Sequence, residues 1–323
     1  MEIQRLPRLF AGHPGVKALA AELKRDSAGA IQLSGLQGSC APLVFAALQE
    51  TGTPFLFVMD DEEEAGYFYH DLTRLLGEES QAVYFFPSSF RRALRFGQRD
   101  AGQEILRTEV LLALSKPPRG DASGHSPSGE TVARGLFIVT YPEALCELVV
   151  TKRRLCEQTL SLSVGERVDI VFVQETLLAF GFHRTDYVYE PGQFAVRGSI
   201  IDAWSFSHEL PYRIDFFGDE VDSIRTFEVH SQLSRDRLGN ISLIGQLDNS
   251  QPDDSRESFL SFLPGETVLV VKELVFLCDM VEQTYKEGFS QQAQATEGPE
   301  LKAENLLAGP EEFRRQILGF RRI

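Results

Sequence analysis

The sequence has little positive charge for its size. Lysine and arginine number 32 against 47 aspartates and glutamates, which gives a formal net charge of −15. A protein that grips DNA mainly through phosphates needs a strongly basic surface, so the composition favours protein partners over a stand-alone DNA-binding role. A local basic run, RRALRFGQR, leaves two interpretations open, a contact with DNA or a solvated loop or helix face; its arginines are Arg91, Arg92, Arg95 and Arg99.

The sequence also lacks the patterns of metal sites, disulfide frameworks and membrane segments. Its four cysteines, Cys40, Cys146, Cys156 and Cys278, are far apart without a CxxC pair, and its six histidines are scattered. This excludes a zinc site of the usual spacing and fits reduced thiols in a cytoplasmic protein, with each cysteine predicted to be a small buried side chain rather than a nucleophile. No run reaches the roughly 18 apolar residues of a membrane span, and the N-terminus lacks a signal-peptide pattern, so no membrane partner is expected.

The 323 residues are enough for two or three domains, and the pattern changes twice along the chain. Residues 1–153 alternate helical and strand patterns, which predicts a parallel sheet covered by helices on both faces. The predicted strands are 30–34, 55–59, 83–86 and 136–140, and the predicted helices are 16–25, 43–49, 62–76, 103–114 and 143–149. A Pro/Gly/Ser-rich stretch, PPRGDASGHSPSGE (117–130), is interpreted as a surface loop, either a tolerated insertion or a binding loop.

Residues 154–248 have closely spaced short strands around one helix, which predicts a small, mainly antiparallel α+β domain. GDE at 218–220 is a turn signal that predicts a hairpin. Residues 249–323 begin with a polar linker and then return to the first pattern, with a strand at 267–271 and a helix at 274–285. The predicted fold is therefore an α/β domain, formed by residues 1–153 and 249–323, into which the domain 154–248 is inserted. The C-terminal FRRQILGFRRI carries no signal that closes a domain, so we expect the chain to be part of a much longer protein.

GLQGSCAP (35–42) follows a predicted strand and precedes a predicted helix, which is where a nucleotide-binding fold has its phosphate loop. A working loop ends in Gly-Lys-Ser/Thr, whereas here those places hold Cys40, Ala41 and Pro42 after Gly35 and Gly38. Ala41 brings no charge to a phosphate, and Pro42 offers neither a hydroxyl nor a backbone donor. We therefore predict a degenerate phosphate loop with no catalytic residue, although an ordinary turn explains GLQG equally well.

The segment from Glu190 to Ser234 contains an EPG turn, RGSIID, LPYRIDFF and GDEVDSIR. It closely resembles the second domain of the excision-repair subunit UvrB and of the bacterial transcription-repair coupling factor (Mfd) family. UvrB keeps its ATP site and has a tyrosine-rich hairpin, whereas this chain lacks the loop lysine and has no tyrosine in 117–130. The resemblance is therefore to the amino-terminal, UvrB-homology module of the coupling-factor family, whose fold is UvrB-like and helicase-like.

The resemblance implies that the inserted domain binds UvrA, with Arg197, Arg213 and Phe217 at the positions that the family uses and Asp215 at an acidic contact position of UvrB. Alternation along 212–217 independently predicts that Arg213, Asp215 and Phe217 share the open face of one strand. From the pattern alone an alternative stays open, in which Phe217 packs under a loop and Arg213 pairs with Asp215. We expect alanine at Arg213 or Phe217 to weaken UvrA binding while the fold survives.

The resemblance implies a non-catalytic docking module, without cofactor or metal, that recruits nucleotide excision repair to stalled RNA polymerase. ATP and Mg²⁺, and the contacts with RNA polymerase and DNA, would belong to the motor and other parts absent here, as would a domain that masks the UvrA-binding surface. The alternative is an ATP-dependent, UvrB-like damage-binding subunit of the excinuclease.

Overall fold

The computed structural model describes residues 3–25, 29–77, 82–90, 100–115, 135–245, 247, 256–291, 294–295 and 303–323. The basic run 91–99 and the loop 117–130 lie outside these residues. The described chain forms two compact units, the first within Met1–Gln98, Ala113–Val149 and Glu257–Ile323 and the second within Arg99–Leu112 and Val150–Arg256. The domain limits at 153 and 248 stay a prediction, and the sequence did not indicate that Arg99–Leu112 clusters with the second unit.

The helices and strands are numbered along the chain. The helices are α1 (Leu6–Phe10), α2 (Pro14–Leu23), α3 (Cys40–Ala46), α4 (Glu62–Leu76), α5 (Ala101–Ser115), α6 (Pro142–Cys146), α7 (Lys152–Glu157), α8 (Ile170–Ala179), α9 (Leu274–Glu287), α10 (Ala303–Leu306) and α11 (Pro310–Ile317). The strands are β1 (Phe55–Val58), β2 (Val83–Phe85), β3 (Phe137–Thr140), β4 (Leu148–Val150), β5 (Thr159–Ser163), β6 (His183–Arg184), β7 (Gln193–Arg197), β8 (Ile200–Ala203), β9 (Tyr212–Phe217), β10 (Glu220–Phe227), β11 (Ser234–Leu238), β12 (Asn240–Ile244), β13 (Arg256–Ser258), β14 (Val268–Val271) and β15 (Arg321–Arg322).

The first unit is built on a parallel sheet with strand order β15-β14-β1-β3-β2. All four side chains of β1 and of β3 are buried, as expected for central strands of a sheet covered on both faces. Asp61 caps the start of α4, since its carboxylate accepts a hydrogen bond from the Glu64 backbone N–H at 2.8 Å; the helix buries Phe68 and Leu72. The predicted α/β class with a parallel sheet is confirmed.

Two predicted elements of the first unit are wrong. Residues 30–34 are not a strand, because this segment makes one backbone hydrogen bond, from Ile31 to Arg322, with an edge strand that is only two residues long. The predicted helix 143–149 ends early. The α6 helix stops at Cys146, and Glu147 turns extended, with ψ of 130°, into β4, which pairs with β13.

The second unit is built on a sheet with strand order β11-β10-β9-β8-β7-β6, in which the pairs from β7 to β11 are antiparallel. One face of this sheet packs against α8 and the β5–β12 pair, and its core includes Val173, Leu177, Phe194 and Ile214. The predicted hairpin is present, since Phe217 pairs with Glu220 around Gly218, which has a φ of 64°. The inserted, mainly antiparallel domain is thus also confirmed as part of the fold.

Candidate functional site

The four residues expected to bind a partner lie on strands β7 and β9, on the side of the sheet opposite α8. Tyr212, Ile214 and Phe216 are buried in the core, so the intervening side chains of β9 take the other side. We call this side the open face; its residues at the strand positions used below are Arg197, Ile200, Asp202, Arg213, Asp215, Phe217, Arg225 and Arg237. The predicted alternation along β9 is therefore confirmed.

At the centre of the open face a buried carboxylate holds two arginines. The side chain of Asp202 is only 2% exposed and lies directly across from Arg213 in the register of β8 and β9. Arg213 donates from Nε to Asp202 Oδ1 at 2.8 Å and from Nη2 to Oδ2 at 2.9 Å. Arg197 donates from Nη2 to the same Oδ2. The pair of hydrogen bonds from Arg213 to Asp202 is bidentate, which is the strongest form of an arginine–carboxylate contact.

The rest of the Arg213 guanidinium is occupied by the loop before β11. Nη1 donates to the Gln232 carbonyl oxygen at 3.1 Å, and Nη2 donates to Gln232 Oε1 at 3.2 Å. The guanidinium carbon lies 4.4 Å from the centre of the Phe227 ring, within the range of a cation–π contact. The hydrogen bond to Asp202 raises the pKa of Arg213 further above its ordinary value. The Arg213 side chain is only 14% exposed, and most of its N–H groups donate hydrogen bonds within its own unit.

The alternative in which Arg213 pairs with Asp215 is wrong. Asp215 accepts a hydrogen bond from Ser199 Oγ at 3.2 Å, and its Oδ2 lies 3.7 Å from Nη2 of Arg225. The reason is geometric. Arg213 and Asp215 are separated along one strand by about 7 Å, whereas residues directly across neighbouring strands lie closer.

Phe217 is the most exposed part of the predicted site. Its side chain ends β9 and is 83% exposed, so the alternative in which it packs under a loop is also wrong. The side chain of Arg197 is 37% exposed, and its guanidinium carbon lies 5.1 Å from the centre of the Tyr187 ring. Phe217 and Arg197 can therefore meet a partner directly, while Arg213 is mostly covered.

Two residues of the open face, Asp202 and Arg225, were missed by the sequence interpretation. A signal for Asp202 was present, because it is a charged residue within the apolar strand IIDA, and a buried charge requires a partner. Arg225 gave no such signal, since its position depends on the register of β10 against β9.

The segment predicted to be a degenerate phosphate loop lies in the first unit. Gly35 and Gly38 have positive φ values of 80° and 53°, Cys40 begins α3 exposed, Ala41 is half-buried and Pro42 is buried. A cavity of about 840 Å³ is lined by the loop, α4 and the end of β14.

The lysine that lines this cavity, Lys272, is already paired with carboxylates. Lys272 Nζ, at the end of β14, lies 2.9 Å from Asp60 Oδ2 and 2.6 Å from Glu64 Oε1. Glu273 occupies the N-cap position of α9. The loop therefore turns at two glycines with positive φ, and the lysine beside it is paired with carboxylates.

The expectation of four buried cysteines holds only for Cys146, since Cys40 and Cys156 are exposed and Cys278 is half-buried. Cys40 and Cys156 lie in the first turn of α3 and the last turn of α7, outside either core. Among the described residues no group of histidines, cysteines and carboxylates could hold a metal ion. Nor is any described helix long and apolar enough to cross a membrane.

Comparison with known families defines the class of the second unit. Residues 160–247 match the family model described as "UvrB interaction domain", and this range includes the whole open face. Over these residues the second unit is therefore similar to UvrB interaction domains.

The chain is also homologous to transcription-repair-coupling factors. The chain is 35% identical to the factor of Escherichia coli K12, and this match covers 64% of the chain. It is 31% identical to the factor of Haemophilus influenzae over 54% of the chain, and 28% identical to that of Bacillus subtilis over 65% of the chain. The matched segments span only 16%, 14% and 16% of those relatives' own lengths. The resemblance to the UvrB-homology module of the coupling-factor family is confirmed.

Proposed function

We propose that this chain is a non-catalytic docking module that binds UvrA through the open face of its second unit. The observation that carries the proposal is Phe217, which is 83% exposed at a hairpin end, on the same side of the sheet as Arg197 and Arg213, in a domain of the UvrB interaction class. A phenylalanine with this exposure contributes little to the stability of its own fold. Aromatic and arginine side chains are the residues that most often dominate the binding energy of protein interfaces.

The four predicted residues take different roles in this proposal. Phe217 is the apolar anchor that enters a pocket on UvrA, and Arg197 offers a half-exposed guanidinium to an acidic group beside it. Asp215 faces the same side and orients Arg225. Arg213 acts as a positioning residue, because its hydrogen bonds to Asp202 and Gln232 fix the strands that carry the anchor.

The absence of catalysis is proposed from the loop chemistry. Ala41 occupies the position of the phosphate-binding lysine, and Pro42 occupies the position of the serine or threonine whose hydroxyl would hold a magnesium ion. Lys272 is held by Asp60 and Glu64, and these carboxylates would repel the phosphates of a nucleotide. ATP and Mg²⁺ would act only in a motor outside this chain.

In the full protein, the module would recruit nucleotide excision repair to stalled RNA polymerase in the cytoplasm. RNA polymerase and DNA would be bound by other parts of that protein, and one of those parts would mask the open face until the motor engages DNA. Transcription-coupled repair is proposed here from the names of the relatives.

Calorimetric titration of purified UvrA into the chain tests the proposal. Phe217→Ala should weaken binding by about 2 kcal/mol or more, in the range of an interface hot spot. The matched control is Phe172→Ala, since Phe172 is an exposed phenylalanine on α8, on the other side of the sheet in the same unit. Equal weakening by both variants, or none by Phe217→Ala, would contradict the assignment of the open face.

A second candidate function is an ATP-dependent, UvrB-like damage-binding subunit. The cavity of about 840 Å³ beside the loop favours it, because this volume could enclose a nucleotide. Equilibrium binding of a fluorescent ATP analogue with Mg²⁺ separates the two candidates. Micromolar binding that competes with unlabelled ATP would establish the second function and refute the interpretation of Ala41 and Pro42.

A further inference from the structure

Three arginines stand in one row across the open face. In the register of the sheet, Arg213 of β9 lies across from Arg225 of β10, and Arg225 lies across from Arg237 of β11. Neighbouring strands are spaced by about 4.8 Å, so the row places three cationic side chains within roughly 10 Å. Like charges directly across from each other destabilise a sheet, so this arrangement is unfavourable for the isolated fold.

The carboxylates of the open face compensate this row only in part. The carboxylate of Asp202 accepts hydrogen bonds from Arg213 and Arg197, so it does not neutralise the other two arginines of the row. Asp215 approaches Arg225 no closer than 3.7 Å. Glu220, at the hairpin end, instead lies 3.8 Å from Arg167.

Arg225 and Arg237 therefore retain unused donors. Arg225 Nε is buried and finds no hydrogen-bond partner among the residues that the structure describes. Arg237 is exposed and forms no ion pair with a described residue. The Arg225 side chain is 28% exposed, so an acceptor on a partner can reach its guanidinium even though Nε is buried.

The row is continuous with the docking face, and its charge is opposite to that of the whole chain. Phe217 lies four residues along β9 from Arg213, about 13 Å away. The net charge of −15 would repel nucleic acid, whereas short-range pairing with carboxylates, next to an aromatic anchor, suits a protein surface.

Resting on the proposed function, we infer that Arg225 and Arg237 are further docking residues and that UvrA presents them with carboxylate side chains. Arg225 takes the carboxylate nearer the centre of the interface through the exposed part of its guanidinium, which Asp215 orients from 3.7 Å. Arg237 contributes at the rim. Arg213 contributes little to this direct pairing because its donors are used within the domain.

The test is titration of UvrA into the chain at several salt concentrations, with Arg225→Gln, Arg237→Gln and the double variant. Arg225→Gln should weaken binding about tenfold and Arg237→Gln about threefold, and the double variant should lose much of the salt dependence. Arg153→Gln is the control with the same charge change, since Arg153 is an exposed residue of α7 and not of the strands that form the open face. Arg237 is exposed, so its variant tests the inference even where Arg225→Gln lowers stability.

The outcomes separate the two claims. Wild-type affinity and salt dependence in the double variant, with UvrA binding intact in the parent chain, would overturn this inference and leave the proposed function standing. Failure of the parent chain to bind UvrA would overturn both. If the double variant lost binding to a duplex DNA probe but kept binding to UvrA, the row would be a nucleic-acid contact, and the inference of a carboxylate partner would be refuted.

Discussion

Replacing Arg213 by alanine should destabilise the second unit rather than merely remove a surface contact. The substitution deletes both hydrogen bonds to Asp202, whose side chain is 2% exposed, and both hydrogen bonds to Gln232. It leaves a buried carboxylate held by Arg197 alone. The fold is therefore expected to keep its stability in Phe217→Ala, whereas Arg213→Ala is expected to fold with lower stability.

The magnitude follows from the burial of the pair. Removing one partner of a buried ion pair costs about 3–5 kcal/mol, because the other charge stays out of water. Arg197 still contacts Asp202, and Arg213 is itself 14% exposed, so the lower end applies. We expect the free energy of unfolding to fall by about 3 kcal/mol, of which up to about 1 kcal/mol is the contact with Phe227.

Urea unfolding followed by tryptophan fluorescence measures this loss. Trp204 is the single tryptophan of the chain, and it packs against a cluster that contains Phe227, next to Arg213. With a urea slope of about 2 kcal/mol per molar, the midpoint should fall by about 1.5 M. A double-mutant cycle with Asp202→Ala should show strong coupling, since both single changes break the same contact.

The control for stability is Phe217→Ala, which should change the free energy of unfolding by less than about 0.5 kcal/mol because the ring is exposed. A midpoint for Arg213→Ala that equals the wild-type value would refute the view that the Asp202 cluster holds the open face together.

Two further predictions concern the same unit. Burial and, to a lesser degree, the charge of Glu209 raise the pKa of Glu109 to about 7. The contribution of Glu109 to the free energy of unfolding should therefore be fully present below about pH 4.5 and should be lost as the pH rises through 7. Glu109→Gln should remove this decline and gain about 2 kcal/mol at pH 8, and identical pH profiles of the two melting temperatures would contradict it. Gly245→Ala should cost about 3 kcal/mol in urea unfolding, because its Cβ would stand 2.0 Å from the Phe180 carbonyl oxygen; an unchanged midpoint would refute that contact.

Local patterns predicted much of the fold. The bounds of α4 and β9 follow from their periodicity, since each buries one face of an element long enough to repeat its pattern. The hairpin after Phe217 follows from the glycine that its turn requires. The alternation along β9 also identified the side of the sheet on which Arg213 and Phe217 lie.

Features that depend on long-range pairing could not be predicted in the same way. The partner of Arg213 was missed because Asp202 reaches it only through the register of β8 and β9. Residues 30–34 have an alternating pattern, but a strand also needs a partner of matching length, and β15 has two residues. The row of Arg213, Arg225 and Arg237 depends on two registers at once, one of them beside a bulge in β10.

The central claim is that the open face of the second unit docks UvrA through Phe217. The most direct measurement is the calorimetric affinity of UvrA for the chain, for Phe217→Ala and for Phe172→Ala, with each variant first shown by Trp204 fluorescence to unfold at the wild-type urea midpoint. We expect Phe217→Ala to lose at least about 2 kcal/mol of binding free energy and Phe172→Ala to bind like the wild type. Undiminished binding by a correctly folded Phe217→Ala would contradict it.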